Sequence, residues 1–283
     1  MQQFINLNGQ HHRAEEPVIH HRTRAFQYGD GLFETMHANG KQVQFFHEHM
    51  DHLIKAMEKL KMEVPPKIRN HGVEREIARL LHSNRHLKGA SVTFTVFRSS
   101  GEIHPSERKS ASYLIATEPL ANEGYVLNEK GLMVDLYPQL KVPLTPLSNI
   151  KTNNGILYVM AELYQKEKKL DECLLINARD EVTSGIGSSV FQISGSVLRT
   201  PPLASGCGDE VMRKKMMEYA EREGLEVDDR QPLFLDDFLK AEEVFFANAT
   251  EGIRWVGGIR KKRYFKQTAR KLTARLNRET AID

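Results

Sequence analysis

The sequence predicts a two-domain α/β (α+β) protein whose first domain is built on an antiparallel sheet. Three observations lead there. The chain has 283 residues, which suits two domains of roughly 150 residues each. Short β-branched or aromatic runs, closed by turn dipeptides, are interleaved with stretches of helical periodicity. All twelve histidines lie at or before His104, so the two halves differ in composition.

Phe4 to Asn8 reads as a strand ending in the turn dipeptide Asn8-Gly9. Gly31 to His37 reads as a second strand, with Asn39-Gly40 as a hairpin turn and Val43 to Phe46 as the return strand. Glu48 to Met62 carries Met50, Leu53, Met57 and Leu60 at helical spacing, and Val64-Pro65-Pro66 stops that helix. Val73 to Leu81 is a second amphipathic helix. Ser91 to Phe97 and Ser112 to Thr117 are strands, and Ser99-Ser100-Gly101 is a turn. Glu118 to Gly124, with Pro119, is the candidate linker.

The second half opens with a strand at Gly131 to Tyr137 and a stretch punctuated by Pro138, Pro143 and Pro146. Asn153 to Lys168 is a helix with Ile156, Val159, Met160 and Leu163 on one side. Cys173 to Asn177, Ser189 to Ser194, Val197 to Arg199 and Glu243 to Asn248 are strands. Glu210 to Glu223 is a helix ended by Gly224. Asp236 to Lys240 is a short helical stretch, and Phe265 to Asn277 a basic amphipathic helix.

Composition narrows the function classes. Apolar residues make up 40% and charged residues 27%, ordinary for a globular protein, and the net charge is only +3. That charge points to neither nucleic acid nor membrane as a partner. The basic run Arg260 to Arg278 reads as a solvated helix face, with Leu272 and Leu276 on its apolar side. No window approaches the ~20 apolar residues of a membrane span, and Met1 to His12 has no apolar core of a signal peptide. With only two cysteines, a reducing cytoplasm is expected. His49 and His52 share a helix face, but no further ligands complete a metal site, so none is expected.

Six segments, in order, carry a resemblance: Phe26-Gln27-Tyr28-Gly29-Asp30-Gly31-Leu32-Phe33-Glu34-Thr35; His49-Met50-Asp51-His52-Leu53; Ile150-Lys151-Thr152-Asn153-Asn154; Val182-Thr183-Ser184 through Ser189-Val190-Phe191; Thr200-Pro201-Pro202-Leu203 with Gly206-Cys207 and Val211-Met212-Arg213; and Glu243 through Thr250. Together they resemble the class-IV aminotransferases. This pyridoxal-phosphate (PLP) family includes D-amino-acid aminotransferase, branched-chain aminotransferase and aminodeoxychorismate lyase. The resemblance implies a smaller N-terminal α/β domain over residues 1–120 and a larger C-terminal pseudo-barrel domain over 121–283. It also implies an active site between them, a homodimer, and a small amino-acid-like or aminodeoxychorismate-like substrate.

Residue by residue, the resemblance makes Lys151 the Schiff-base lysine. Val211, Met212 and Thr250 would hold the cofactor phosphate at a helix N-terminus, and Phe33 and Arg98 would contact substrate. Three positions depart from the family pattern. His52 stands where the family has an arginine, and histidine offers phosphate fewer donors. Glu210 stands where close relatives have a small residue, and a carboxylate there repels phosphate. Ser184 stands where a glutamate meets the pyridine nitrogen, and serine cannot balance a pyridinium charge. Glu181 cannot take its place on a regular strand, because an odd offset points to the opposite face. PLP binding is therefore expected to be weakened or lost. The two resulting expectations are a PLP-dependent aminotransferase or lyase acting through a Lys151 aldimine, with Ser184 favouring lyase-like chemistry, and a non-catalytic or altered-ligand member of the same fold that has lost normal PLP binding.

Overall fold

The computed structural model describes residues 2–40, 42–99 and 110–281. The predicted turn at Ser100-Gly101 lies outside them. The chain folds as two compact units. One comprises the residues up to Gly124 together with Lys151–Asn154, and the other Tyr125–Ile150 with Gly155–Ala281.

The first unit contains β1 (Phe4–Leu7), β2 (Gln10–Arg13), α1 (Arg24–Tyr28), β3 (Gly31–Asn39), β4 (Gln42–Val43), α2 (Phe46–Lys59), α3 (Pro66–Arg69), α4 (Glu74–Ser83), β5 (Gly89–Arg98) and β6 (Ala111–Pro119). Its strands form an antiparallel sheet in the order β2-β1-β6-β5-β3-β4. Leu32, Met36 and Ala38 of β3 share one face, as strand alternation requires, and all are buried. α2 packs on β3 and buries Phe46, Met50, Leu53 and Met57, spaced at three and four residues. The return strand is shorter than predicted. It stops at Val43, because Phe45 adopts a left-handed conformation (φ 53°) that breaks extension and launches α2 at Phe46.

The second unit contains β7 (Leu132–Leu136), α5 (Ile156–Lys168), β8 (Glu172–Ile176), β9 (Val182–Ser184), β10 (Ser189–Ser194), β11 (Val197–Arg199), α6 (Val211–Arg222), β12 (Glu226–Asp228), α7 (Leu235–Lys240), β13 (Glu243–Asn248), β14 (Gly252–Ile259), β15 (Lys262–Arg263) and α8 (Gln267–Glu279). Its mixed sheet runs β12-β11-β10-β13-β14-β7-β8-β9, with β15 on β14. One core gathers Val134, Leu174, Val190, Val244, Phe246 and Val256. Phe191 and Phe245 face each other in register and stack at 5.0 Å. The Glu243 carboxylate accepts the N–H groups of Thr268 and Ala269, capping α8 from the neighbouring strand.

α5 ends at Lys168 as expected but departs from the sequence expectation in its start and in the face it buries. It begins at Ile156, and Asn153 and Asn154 belong to the first unit. Its predicted apolar stripe faces outward, with Ile156 70%, Val159 50%, Met160 36% and Leu163 54% exposed. Leu157, Ala161 and Tyr164 form the inner face and pack with Tyr137, Cys173 and Leu175.

Candidate functional site

In the first unit, among the described residues, β4 pairs with Ala38 and Asn39 at the far end of β3. That leaves the start of β3 with an open edge, whose backbone groups need partners. The segment Lys151–Asn153 supplies them. The Phe33 N–H donates to the Lys151 carbonyl at 3.1 Å, and the Asn153 N–H to the Gly31 carbonyl at 3.0 Å. Leu32 and Thr152 form an antiparallel bridge. Two motifs about 120 residues apart are thus joined as one short ribbon. Lys151 and Phe33 are both half-buried there.

The glycines of the Gly29-Asp30-Gly31 turn make this approach possible. A Cβ on Gly31 would lie 2.5 Å from Asn153 Nδ2 and 2.8 Å from the Val96 carbonyl oxygen. Gly29 has φ 63° and faces the Asn154 side chain. Gly31→Ala is therefore expected to cost about 2 kcal/mol through overpacking against fixed backbone, read as a lower thermal midpoint. An unchanged midpoint would show that the ribbon adjusts freely.

Asp30 anchors the same turn. Its Oδ2 accepts from Nε of Arg24 at 2.7 Å and from Nε of Arg98 at 3.0 Å. Arg98 also donates to the Leu60 carbonyl at 2.9 Å and the Lys61 carbonyl at 3.4 Å, at the end of α2. The guanidinium expected to meet a substrate carboxylate is engaged within its own unit, locking the turn to the helix.

His52 is buried. Its Nδ1 donates to Glu34 Oε1, and His49 Nδ1 donates to Oε2 at 2.8 Å. An ionised carboxylate only accepts, so each imidazole presents an N–H to it. Burial pushes the Glu34 carboxyl up, but the hydrogen bonds and charges of His49 and His52 outweigh it and hold it at about 2. Among the described residues no group of three histidines, cysteines or carboxylates is arranged to hold a metal ion.

In the second unit, α6 starts at Val211, after the loop that ends in its N-cap Glu210, with no side-chain cap hydrogen bond. That loop is tightly clamped. Asn149 Nδ2 donates to the carbonyls of Leu203 (2.9 Å) and Cys207 (2.6 Å), and the Asn149 carbonyl accepts the Asp209 N–H at 3.0 Å. Arg213, 2% exposed, ties α6 to the Pro201 carbonyl at 3.0 Å and to Asp229 at 3.2 Å. Sequence reading missed Asn149 as a clamp. Its position two residues before Lys151 was the available signal.

The N-cap of α6 is Glu210, whose Oε2 accepts from the Ser189 hydroxyl at 3.5 Å. Thr250 donates both its N–H (3.1 Å) and its hydroxyl (3.0 Å) to Asn248 Oδ1. Ser184 ends β9, half-buried. The β8–β9 register slips by one residue between Ser184 and Val182, so the alternation that separated Glu181 from Ser184 is broken. Glu181 is nonetheless committed elsewhere: its carboxylate accepts from Asn177 (2.7 Å) and Arg179 (2.9 Å). Burial raises that carboxyl, and hydrogen bonds from Asn177, Ser205 and Arg179 bring it below its ordinary value. Neither cysteine is poised as a thiolate, since burial pushes Cys173 up to about 12 and Cys207 up to about 11.

The profile described as amino-transferase class IV matches residues 31–259. An aminodeoxychorismate lyase of Vibrio harveyi is 23% identical over 239 residues, covering 83% of this chain and 85% of that protein. A branched-chain-amino-acid aminotransferase of Escherichia coli is 22% identical over 265 residues, covering 90% and 85%. The crystal structure of a branched-chain aminotransferase from Thermoproteus uzoniensis with norvaline superposes with a TM-score of 0.88 at 20% identity, over 98% of this chain and 94% of the other. That likeness establishes the shared fold, and the profile, spanning both units, establishes that the chain belongs to the class IV aminotransferase family.

Proposed function

We propose that this chain is a PLP-dependent aminotransferase or lyase in which Lys151 supplies the Schiff-base amine for a small amino-acid-like or aminodeoxychorismate-like substrate. One observation carries the reading: the lysine segment is clipped onto the open edge of β3 by Phe33 and Gly31. A backbone paired to β3 from the residue's own carbonyl onward limits where its amine can reach, which is what oriented attack on a carbonyl requires.

The residues suit the aldehyde and ring of the cofactor better than its phosphate. Lys151 provides the amine. The Ser184 hydroxyl suits a neutral ring nitrogen. The uncapped start of α6, with the N–H groups of Val211 and Met212, suits phosphate, but each further phosphate position is compromised. His52 is tied to Glu34, Thr250 to Asn248, and Glu210 brings a carboxylate to the helix start. PLP would be held, weakly.

When bound, the cofactor supplies an electron sink for charge developing beside the substrate nitrogen. Lys151 provides the attacking amine and afterwards carries a proton at Nζ. The Ser184 hydroxyl would meet the ring nitrogen without fixing a positive charge there, so the sink would be weak and lyase or elimination chemistry would be favoured over transamination. Phe33 contacts substrate beside the lysine ribbon. The engagement of Arg98 with Asp30 and the α2 terminus supports a role in holding that turn over one in gripping a carboxylate. Addition of PLP is expected to produce an absorbance band that borohydride removes and that Lys151→Ala lacks. No band at millimolar PLP would overturn this reading.

A second reading has its own support: two phosphate positions each meet an acceptor from the chain itself, His52 at Glu34 and Thr250 at Asn248, and Glu210 sets a carboxylate at the α6 N-cap. In that reading the protein is a non-catalytic or altered-ligand member that has lost normal PLP binding. A band present in the wild type and lost in Lys151→Ala would overturn it.

A homodimer is part of the proposal, supported by the outward stripe of α5. Ile156, Val159, Met160 and Leu163 recur at the spacing of a helix–helix seam, and patches of this kind mark association surfaces. Val159→Glu should convert a dimer to a monomer in sedimentation, whereas a dimer that persists would remove α5 from the interface. Two free, buried cysteines support a cytoplasmic setting, and no helix among the described residues is long and apolar enough to cross a membrane.

A further inference from the structure

The turn that follows Ser184 is held by a buried carboxyl group. Glu172 opens β8 and is 3% exposed. Its Oε1 accepts two backbone N–H groups, from Cys173 at 2.9 Å and from Ile186 at 2.9 Å. Ile186 lies two residues beyond Ser184, in the turn closed by the Gly185 N–H donating to the Ser188 carbonyl at 2.8 Å. Gly185 lets the chain run directly over this carboxyl: a Cβ there would lie 2.7 Å from the Phe246 ring and 3.3 Å from Glu172 Cδ.

The other carboxyl oxygen faces charge. Oε2 lies 3.7 Å from Arg254 of β14. Arg254 is shared: it also pairs with Glu251 at 3.0 Å and donates to the Asp171 carbonyl at 3.4 Å. The Asp171 carboxylate is itself occupied by the Met133 N–H at 2.8 Å. Glu172 is thus a buried acid with two good N–H donors and one divided cation, with Glu251 opposing it.

We propose that Glu172 is a positioning residue of the candidate site, whose carboxyl clamps the Ser184–Ser188 turn onto β8 and makes the tightness of that clamp depend on pH. The functional part rests on the assignment of Ser184 to the ring nitrogen. Charge-assisted hydrogen bonds are shorter and about twice as strong as neutral ones, so the ionised carboxylate grips the Ile186 N–H more firmly than the neutral acid. Burial pushes this carboxyl up, the N–H groups of Ile186 and Cys173 and the Arg254 charge pull it back, and the balance stands at about 7. The change of grip therefore falls near neutrality.

Amide hydrogen exchange tests this on the protein without cofactor, so it stands or falls separately from Lys151. After correction for intrinsic rates, protection of the Ile186 amide should rise roughly tenfold from pH 5.5 to 8.5 in the wild type and stay flat in Glu172→Gln. Arg254→Met, which removes the opposing cation, should move the midpoint upward. Trp255, the single tryptophan, adjoins Arg254 and offers a second signal: its fluorescence should titrate with the same midpoint and lose that step in Glu172→Gln. Flat protection in the wild type, or an unchanged midpoint in Glu172→Gln, would overturn the proposal. If Lys151 forms its adduct, the pH dependence of the adduct spectrum should follow this midpoint, and a spectrum indifferent to Glu172→Gln would overturn the functional part alone.

Discussion

Glu34→Ala should lower stability by about 3 kcal/mol, the scale seen when one partner of a buried charged cluster is removed. The loss is large because Glu34 satisfies two buried imidazoles at once, His49 and His52. Truncation leaves both without an acceptor beneath α2, and a cavity beside Leu32 and Met36. The thermal midpoint should fall by roughly 10 °C. Acid dependence gives an independent reading. The folded-state value of about 2 lies below the ordinary 4.5, so the unfolded chain binds the proton first as pH falls. The contribution is complete above about 4.5 and is lost as pH drops toward about 2. Glu34→Gln should flatten the acid limb of the melting curve in that window. A limb as steep as that of the wild type would mean the cluster carries no linked proton.

Glu210→Gly should raise affinity for PLP at least tenfold, about 1.4 kcal/mol. The carboxylate stands at the N-cap of α6, beside the N–H groups that would otherwise meet a dianion. At an effective dielectric near 20, one negative charge some 5 Å from another costs on the order of a few kcal/mol before screening. Glycine is a tolerated N-cap, so the helix itself should lose little. Pyridoxal, which lacks the phosphate, provides the control: its affinity should change less than twofold. Equal gains for both ligands would show that Glu210 acts by bulk or loop strain and not by charge.

Much of this architecture was legible in the sequence, and the exceptions have physical causes. The strands around Phe94, Phe191 and Phe246 announced themselves by β-branched and aromatic runs. β14 did not, because Gly252, Gly257 and Gly258 dilute its pattern. The periodicity of α5 located an apolar stripe but could not say which side the fold covers. The helix carries two such stripes, and the one through Leu157, Ala161 and Tyr164 turns inward. Strand parity separated Glu181 from Ser184 only while the strand stayed regular, and the slip in β8–β9 register removed that condition.

The candidate site was read unevenly for similar reasons. Lys151 stood out by its segment, but its attachment to Gly31 and Phe33 is a pairing across about 120 residues that no local pattern encodes. Glu34 was within reach. It shares strand parity with the buried Leu32 and Met36, and an acid on that face needs donors. His49 and His52, bordering the apolar stripe of α2, were the available ones. Arg98 illustrates the opposite case, a suitable side chain whose fork is engaged by Asp30 and the carbonyls of Leu60 and Lys61.

The central claim is that the amine of Lys151 reacts with the cofactor aldehyde. Incubation with PLP, reduction by borohydride and peptide mass spectrometry tests it most directly. The account predicts one phosphopyridoxyl increment, on the peptide bearing Lys151, and its absence from Lys151→Ala. Labelling scattered over surface lysines, with residue 151 unmodified, would contradict it.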